Sequence, residues 1–234
     1  MFTGIVEEVG KVLSIVNKKG KRRLTVSSHK LVKELKTGDS IAVSGVCLTA
    51  VDIQARSFGM DLAEETWNVT SFSRIAPGAL VNLELPMQAN GRFGGHIVQG
   101  HVDGTGTFLG LDPVLAADSF QKPGAKRPPK RGRNAQPKDY WLRIEIPRAL
   151  ERYVIFKGSL SIEGISLTVA KIQGKKVTVA IIPHTVEMTN LLSLKPGDPV
   201  NLEVDMIAKY VEKMTGAGAS DSAVTLEDLV AKGF

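Results

Sequence analysis

Apolar and polar residues alternate in short runs along most of the chain. KVLSIV (11–16), RLTVSS (23–28), SIAVSGVCLTAV (40–51), SFGMDL (57–62) and LVNLEL (80–85) are rich in β-branched residues and are separated by Gly, Pro or Asp turns. The pattern predicts strands, and short strands so closely spaced predict a small barrel or sandwich in an all-β protein. Successive side chains on a strand point to opposite faces. Val46, Leu48 and Ala50 therefore share one face, expected to pack a core, while Cys47 and Thr49 share the other. The period changes near the end, where Ile207, Tyr210, Val211 and Met214 stand at i, i+3, i+4 and i+7 and predict an amphipathic helix. Its apolar stripe can pack on its own domain or join subunits. GAGAS breaks the helix, and TLEDLVAKGF (225–234) is expected as a terminal helix or a frayed tail.

The whole pattern occurs twice. GVCLTA at 45–50 returns as GISLTV at 164–169, and the same offset of 119 pairs Ser40 with Ser159, Thr66 with Thr185, Thr70 with Thr189, and VNLE at 81–84 with VNLE at 200–203. Upstream the offset drops to 96, which pairs Gly4, Val6 and Gly10 with Gly100, Val102 and Gly106. The 23-residue difference is absorbed by an insertion in the second copy. A tandem duplication follows. The expected divisions are a first barrel at 1–96, a second at 97–205 with its insertion at 112–139, and a helix and tail at 206–234.

Charge changes the picture at one place only. The insertion carries seven Lys/Arg against three Asp, which is four of the six net positive charges of the chain. It is Pro-rich and aperiodic, so it reads as a loop. A basic loop can tether nucleic acid or an anionic surface. No aromatic residue is interleaved with its basic residues, however, so a solvated insertion is expected and nucleic acid is not an expected partner. The single cysteine rules out an internal disulfide and fits a reducing compartment. No apolar run approaches the roughly 18 residues of a membrane span. MFTGIVEEVGK has acids where a secretory leader has its apolar core, so a mature, cytoplasmic protein without membrane contact is expected.

A duplicated domain makes two similar pockets, and it suits two similar ligands. Positions where the copies differ are where the pockets can take unequal roles. Cys47 aligns with Ser166, Ile5 with His101, and Glu65 with His184. Thiol, imidazole and carboxylate can each serve as nucleophile, acid or base. Each also has a plainer reading: a lone Cys in a strand is commonly a small buried hydrophobe, and Glu65 and His184 can simply be solvated. His96 and His101 in GGHIVQGH are five residues apart, on opposite faces of a strand, and only one thiol is at hand, so no metal site is expected. The glycines of GRFGGHIVQG lack the strand–turn–helix context of a phosphate loop. From the residues alone the chain is a duplicated β protein that binds paired ligands.

MFTGIVEEVG, the GVCLTA/GISLTV pair, GGHIVQGHVDG, AEETW/IPHTV and the repeated VNLE together resemble the riboflavin synthase family, in order and across nearly the whole chain outside the insertion and the last residues. The resemblance implies two homologous six-stranded Greek-key β-barrels in tandem plus a C-terminal α-helix. It also implies a homotrimer whose active site forms where the N-terminal barrel of one subunit meets the C-terminal barrel of another. The implied reaction needs no cofactor. Two 6,7-dimethyl-8-ribityllumazine molecules exchange a four-carbon unit, giving riboflavin and 5-amino-6-(D-ribitylamino)uracil. Association with lumazine synthase is a further expected partnership.

Carried over residue by residue, the resemblance makes Cys47 and His101 the catalytic candidates. The implied substrate contacts in barrel one are Gly4, Ile5, Val6, Cys47, Leu48, Thr49 and the segment Asp61, Leu62, Ala63, Glu64, Glu65, Thr66. In barrel two they are Gly100, His101, Val102, Lys157, Ser166, Leu167, Thr168 and the segment Ile181, Ile182, Pro183, His184, Thr185, Val186. His184 stands where relatives are expected to carry Glu, and the insertion has no assigned role. Two other classes compete with the enzyme. One is a non-catalytic lumazine- or flavin-binding protein of the same fold. The other is an interaction protein that works through the basic loop.

Overall fold

The structure is a computed structural model that describes residues 1–18, 21–114 and 139–216. The first copy folds into six strands, β1 (Glu8–Lys18), β2 (Lys21–Ser27), β3 (Ser40–Val43), β4 (Val46–Gln54), β5 (Ser57–Leu62) and β6 (Leu80–Glu84), with the short helix α1 (Glu64–Val69) after β5. The second copy repeats them as β7 (Gly104–Pro113), β8 (Tyr140–Glu145), β9 (Ser159–Ile162), β10 (Ile165–Gln173), β11 (Lys176–Ile181) and β12 (Pro199–Val204), with α2 (Pro183–Glu187) after β11. Both sets close into antiparallel barrels. The ring order β1-β2-β5-β4-β3-β6 is reproduced by β7-β8-β11-β10-β9-β12, a Greek-key order in which neighbours are not all consecutive. Closure leaves no open sheet edge.

The alternation predicted for the repeated strands holds. Val46, Leu48 and Ala50 are buried, Cys47 is half-buried and Thr49 exposed, and β10 repeats the sequence of states at Ile165, Ser166, Leu167, Thr168 and Val169. Each barrel encloses its own apolar core, which includes Leu24, Phe58 and Met60 in the first and Leu142, Ile144 and Leu160 in the second. Each such side chain, fully buried, stabilises the fold by about 1.5–3 kcal/mol.

The barrels meet about a pseudo-twofold axis. Gly45 and Gly164 abut so closely that a Cβ on Gly45 would stand 2.8 Å from the Gly164 nitrogen, and one on Gly164 2.6 Å from the Gly45 nitrogen. The repeated strands thus begin back to back. Around this point the amide of Asn82 donates to the Glu163 carbonyl (2.9 Å), and its counterpart Asn201 donates to the Ser44 carbonyl (2.9 Å). Asn82 Oδ1 accepts from the Asn190 N–H and Asn201 Oδ1 from the Ser71 N–H, both at 2.7 Å. The asparagine of VNLE is therefore a joint between barrels. Two positions break the symmetry: Asn190 stands where copy one has Ser71, and Glu163 where it has Ser44, and burial pushes the Glu163 carboxyl up despite bonds from Asn201, Ser44 and Asn190.

Two expectations shift at the insertion. Asp112 and Pro113, expected in the loop, are the last residues of β7, and the Val114 N–H still donates to the Asp139 carbonyl (2.8 Å). Cross-strand bonding extends the hairpin into what composition marks as loop. The rest of the insertion, and the tail beyond 216, lie outside the described residues. The expected helix is present as α3 (Met206–Thr215), capped by Asp205, whose side chain accepts from the Ile207 N–H (3.0 Å). Its stripe of Ile207, Tyr210, Val211 and Met214 is more than half exposed at every position.

Candidate active site

The segment before each barrel is clamped by the last residue of VNLE. Glu84 accepts from the N–H of Thr3 (2.7 Å), the Thr3 hydroxyl (2.8 Å) and the N–H of Gly4 (3.0 Å). Glu203 accepts from the N–H groups of Gln99 (2.7 Å), Gly100 (2.9 Å) and His101 (3.1 Å). Burial pushes both carboxyls above their ordinary value, and these bonds work against it. Sequence comparison shows the repeated glutamate but no task for it. Its task is to hold main chain.

The clamped segments cross between barrels. The Cys47 N–H donates to the Gly100 carbonyl, and the Ser166 N–H to the Gly4 carbonyl, both at 2.8 Å. Val102 packs on the core of barrel one and Val6 on that of barrel two. Phe2 and Val98 exchange main-chain bonds where the segments pass, and both are buried with Ala42 against Cys47. This corrects the grouping expected from the repeat. Gly100-His101-Val102 lies with Cys47, and Gly4-Ile5-Val6 lies with Ser166. Linear alignment assigns a segment to the barrel that follows it in sequence, whereas the hydrogen bonds assign it to the other.

The first pocket therefore brings Cys47 and Thr49 of β4, the end of β5, the start of α1 and the segment 100–102 together. His101 is exposed there. Leu48 and Leu62 are core residues, so their side chains face away from it. Two of its acids are engaged elsewhere: Arg23 forms a two-pronged pair with Asp61 (2.7 and 3.0 Å), and Arg22 holds Glu64 (2.6 Å) while lying over the Trp67 ring. Ala63 and Glu65 are exposed and Thr66 half-buried.

The second pocket collects Ser166 and Thr168 of β10, the end of β11, the start of α2 and the segment 4–6. Leu167, Ile181 and Val186 belong to the core, Ile182 and His184 are exposed, and Pro183 and Thr185 are half-buried. Lys157 is exposed, with left-handed backbone (φ +66°), and its N–H donates to the Val169 carbonyl (2.9 Å). One partner of this pocket was missed by sequence reasoning. His96, treated above as a loop residue, is buried with Nδ1 2.6 Å from Ser166 Oγ. The available signal was the Gly94-Gly95 pair before it, which allows close packing.

Both groups of residues place exposed side chains at the barrel surface, Thr49 and His101 in the first, Thr168, Ile182 and His184 in the second. A cleft of about 700 Å³ lies elsewhere, between α3 and barrel two, lined by Tyr153, Ile155, Ile207, Val211 and neighbours. Two homologous sites, each with an exposed threonine hydroxyl (Thr49 and Thr168), suit two ligands of one kind.

Comparison with known proteins agrees with the duplicated fold. The family model for the lumazine binding domain matches twice, at residues 3–86 and 99–205. The fold and the paired match thus define a protein of two lumazine-binding domains. The riboflavin synthase of Actinobacillus pleuropneumoniae is 40% identical over 237 residues, spanning all of both chains, and that of Bacillus subtilis is 36% identical over 90% of this chain and 88% of its own. The chain belongs to the riboflavin synthase family. Among solved structures, LumP complexed with riboflavin aligns with a TM-score of 0.72 over 87% of this chain and 99% of its own, at 22% identity, a likeness of fold.

Proposed function

We propose that the protein is a riboflavin synthase that converts two molecules of 6,7-dimethyl-8-ribityllumazine into riboflavin and 5-amino-6-(D-ribitylamino)uracil. The observation that carries this reading is a pair of pseudo-equivalent sites that differ at their centre, Cys47 in one and Ser166 in the other. Donor and acceptor are the same compound, so homologous sites can hold both, and holding them together supplies the proximity term. Their roles differ. The acceptor loses a proton from its C7 methyl group, made acidic by conjugation with the ring, and the donor ring accepts a nucleophile at C7. Cys47 and His101 are the groups assigned to this division of labour, with Thr49 and Thr168 offering hydroxyls to the rings.

As the family resemblance implies, each active site takes its two halves from different subunits. The reading therefore includes a homotrimer in which barrel one of one subunit faces barrel two of another. The exposed stripe on α3 supports that assembly. A cytoplasmic location belongs to the same proposal.

The test is to incubate the purified protein with the lumazine alone and follow riboflavin fluorescence. Riboflavin at half the molar amount of lumazine consumed is expected. Tight binding without product would instead establish a lumazine- or flavin-binding protein. Cys47→Ser should keep the fold, since serine already occupies the equivalent position 166, and should lower kcat far more than lumazine affinity, because the lost interaction belongs to the transition state. His101→Gln should alter the pH profile of the rate. Near-wild-type turnover in both variants would leave catalysis to positioning alone.

A further inference from the structure

No residue of α3 is buried, so apolar packing does not fix the helix in the chain. Polar contacts hold it instead. Glu212 accepts from Arg152 and from the Tyr153 hydroxyl, and Lys209, three residues earlier on the same face, donates to Asp103 Oδ1 (2.5 Å). The second pair is partly screened from water, with the Asp103 side chain 19% and that of Lys209 35% exposed. Its place in the chain gives it a further role. Asp103 lies two residues after His101 and three after Gly100, whose carbonyl accepts the Cys47 N–H. Its other oxygen accepts from the Val204 N–H (3.0 Å), beside the Glu203 clamp on Gln99, Gly100 and His101. Burial and the Asp103 charge push the Glu203 carboxyl up, and the Lys209 charge opposes them. Copy one shows what the lysine adds. Glu7, the counterpart of Asp103, accepts from the Leu85 N–H (2.8 Å) as Asp103 accepts from that of Val204. No ion pair reaches Glu7 among the described residues. Among these residues, only the segment at the Cys47 site is tied to a helix by an ion pair.

We propose that Lys209 is a positioning residue that, through Asp103, ties α3 to the segment 100–103 and so sets His101 against Cys47. The path is short. It runs from the Lys209 ammonium to the Asp103 carboxylate, along the main chain to Gly100, and from the Gly100 carbonyl to the Cys47 N–H. Moving the segment away from barrel one separates two opposite charges where water screens them weakly, which opposes the movement. The first site thereby answers to the position of α3. In the homotrimer proposed above, a neighbour that fixes α3 also fixes this segment, so assembly and activity are coupled through one ion pair. The inference deepens the reading of Cys47 and His101 as paired groups and rests on it. A pair that merely anchored the helix would leave Cys47 unaffected.

The experiment uses the full chain as wild type, Lys209→Met, Lys209→Arg, Asp103→Asn and Lys213→Met. Methionine keeps most of the aliphatic stem without the charge, and asparagine keeps an acceptor for the Val204 N–H. Lys213→Met makes the same change at an exposed position of the last turn. Three readouts are followed: kcat and KM for riboflavin formation, the rate at which a thiol reagent modifies Cys47, and the assembled mass by light scattering. Cys47 is the only cysteine of the chain, so the second readout reports on this site alone. Lys209→Met and Asp103→Asn should each lower kcat roughly 3- to 10-fold, between the effect of an exposed ion pair and that of a hydrogen-bonded charge, with KM changed less. Both should speed the modification of Cys47, and the double variant should be no worse than the poorer single. Lys209→Arg should restore most of both properties, and Lys213→Met should match wild type. An unchanged Cys47 rate in Lys209→Met and Asp103→Asn, a loss confined to KM, additive losses in the double variant, or an equal effect of Lys213→Met overturns the proposal. Should Lys209→Met lose assembled mass, Asp103→Asn, which leaves α3 unaltered, decides alone. A wild type that makes no riboflavin overturns the enzymatic reading, yet the Cys47 rate still judges the Lys209–Asp103 link.

Discussion

A β-carbon on residue 100 would stand 2.5 Å from the β-carbon of Cys47, and one on residue 4 would stand 2.6 Å from that of Ser166. Both glycines also carry left-handed backbone, φ +81° and +75°. Gly100→Ala therefore meets strain and collision together. The strain alone costs about 1–3 kcal/mol, so a clear drop in the urea midpoint is expected, with weakened lumazine binding at the Cys47 site first. A second prediction at this scale concerns Glu8. Burial opposes its charge, but the N–H groups of His29, Leu31 and Lys30 and the Ser28 hydroxyl outweigh burial and hold the carboxyl below its ordinary value. A depressed folded value means that the stabilisation is complete above the ordinary carboxylate value and is lost as pH falls through the depressed one. The stability gap between wild type and Glu8→Gln, read from urea midpoints at stepped pH, should close on acidification.

At the scale of elements, the alternation in GVCLTA and GISLTV and the spacing in MIAKYVEKM were sufficient to place β4, β10 and α3, because periodicity reports which face meets a core. The partners of those faces were not legible. Pairing Gly4 with Gly100 by offset says that they are equivalent, but only main-chain hydrogen bonds say that each serves the other barrel. His96–Ser166 was hidden for the same reason, as a contact across 70 residues made by a side chain outside the repeat. The insertion carries a prediction of its own. β7 and β8 are paired up to Val114 and Asp139, as β1 and β2 are up to Lys18 and Lys21, so the ends are already closed. Replacing 115–138 with a short Gly/Ser turn should leave unfolding temperature and turnover nearly unchanged, because closure entropy varies by only ~0.6 kcal/mol per doubling of loop length. Lost activity in a folded variant would give the loop a catalytic role.

For the whole molecule, α3 presents Ile207, Tyr210, Val211 and Met214 to solvent in the single chain, an apolar stripe beside the cleft against barrel two. Such a surface is expected to be covered in the working assembly. Truncation after Asp205 should yield monomers by light scattering, with intact barrels by circular dichroism and sharply reduced riboflavin formation. An active monomer would refute the trimer. The crossing of the two leader segments has a consequence in time. Synthesis delivers the strands of barrel one first, and domains tend to fold as they emerge. Yet the Cys47 N–H has to wait for Gly100 to leave the ribosome, while Gly4, among the first residues made, waits for Ser166. The first site can mature only once the second repeat has begun to emerge, and the second site is finished by the oldest part of the chain. A stalled or truncated nascent chain is thus left with an unlatched barrel rather than half an enzyme.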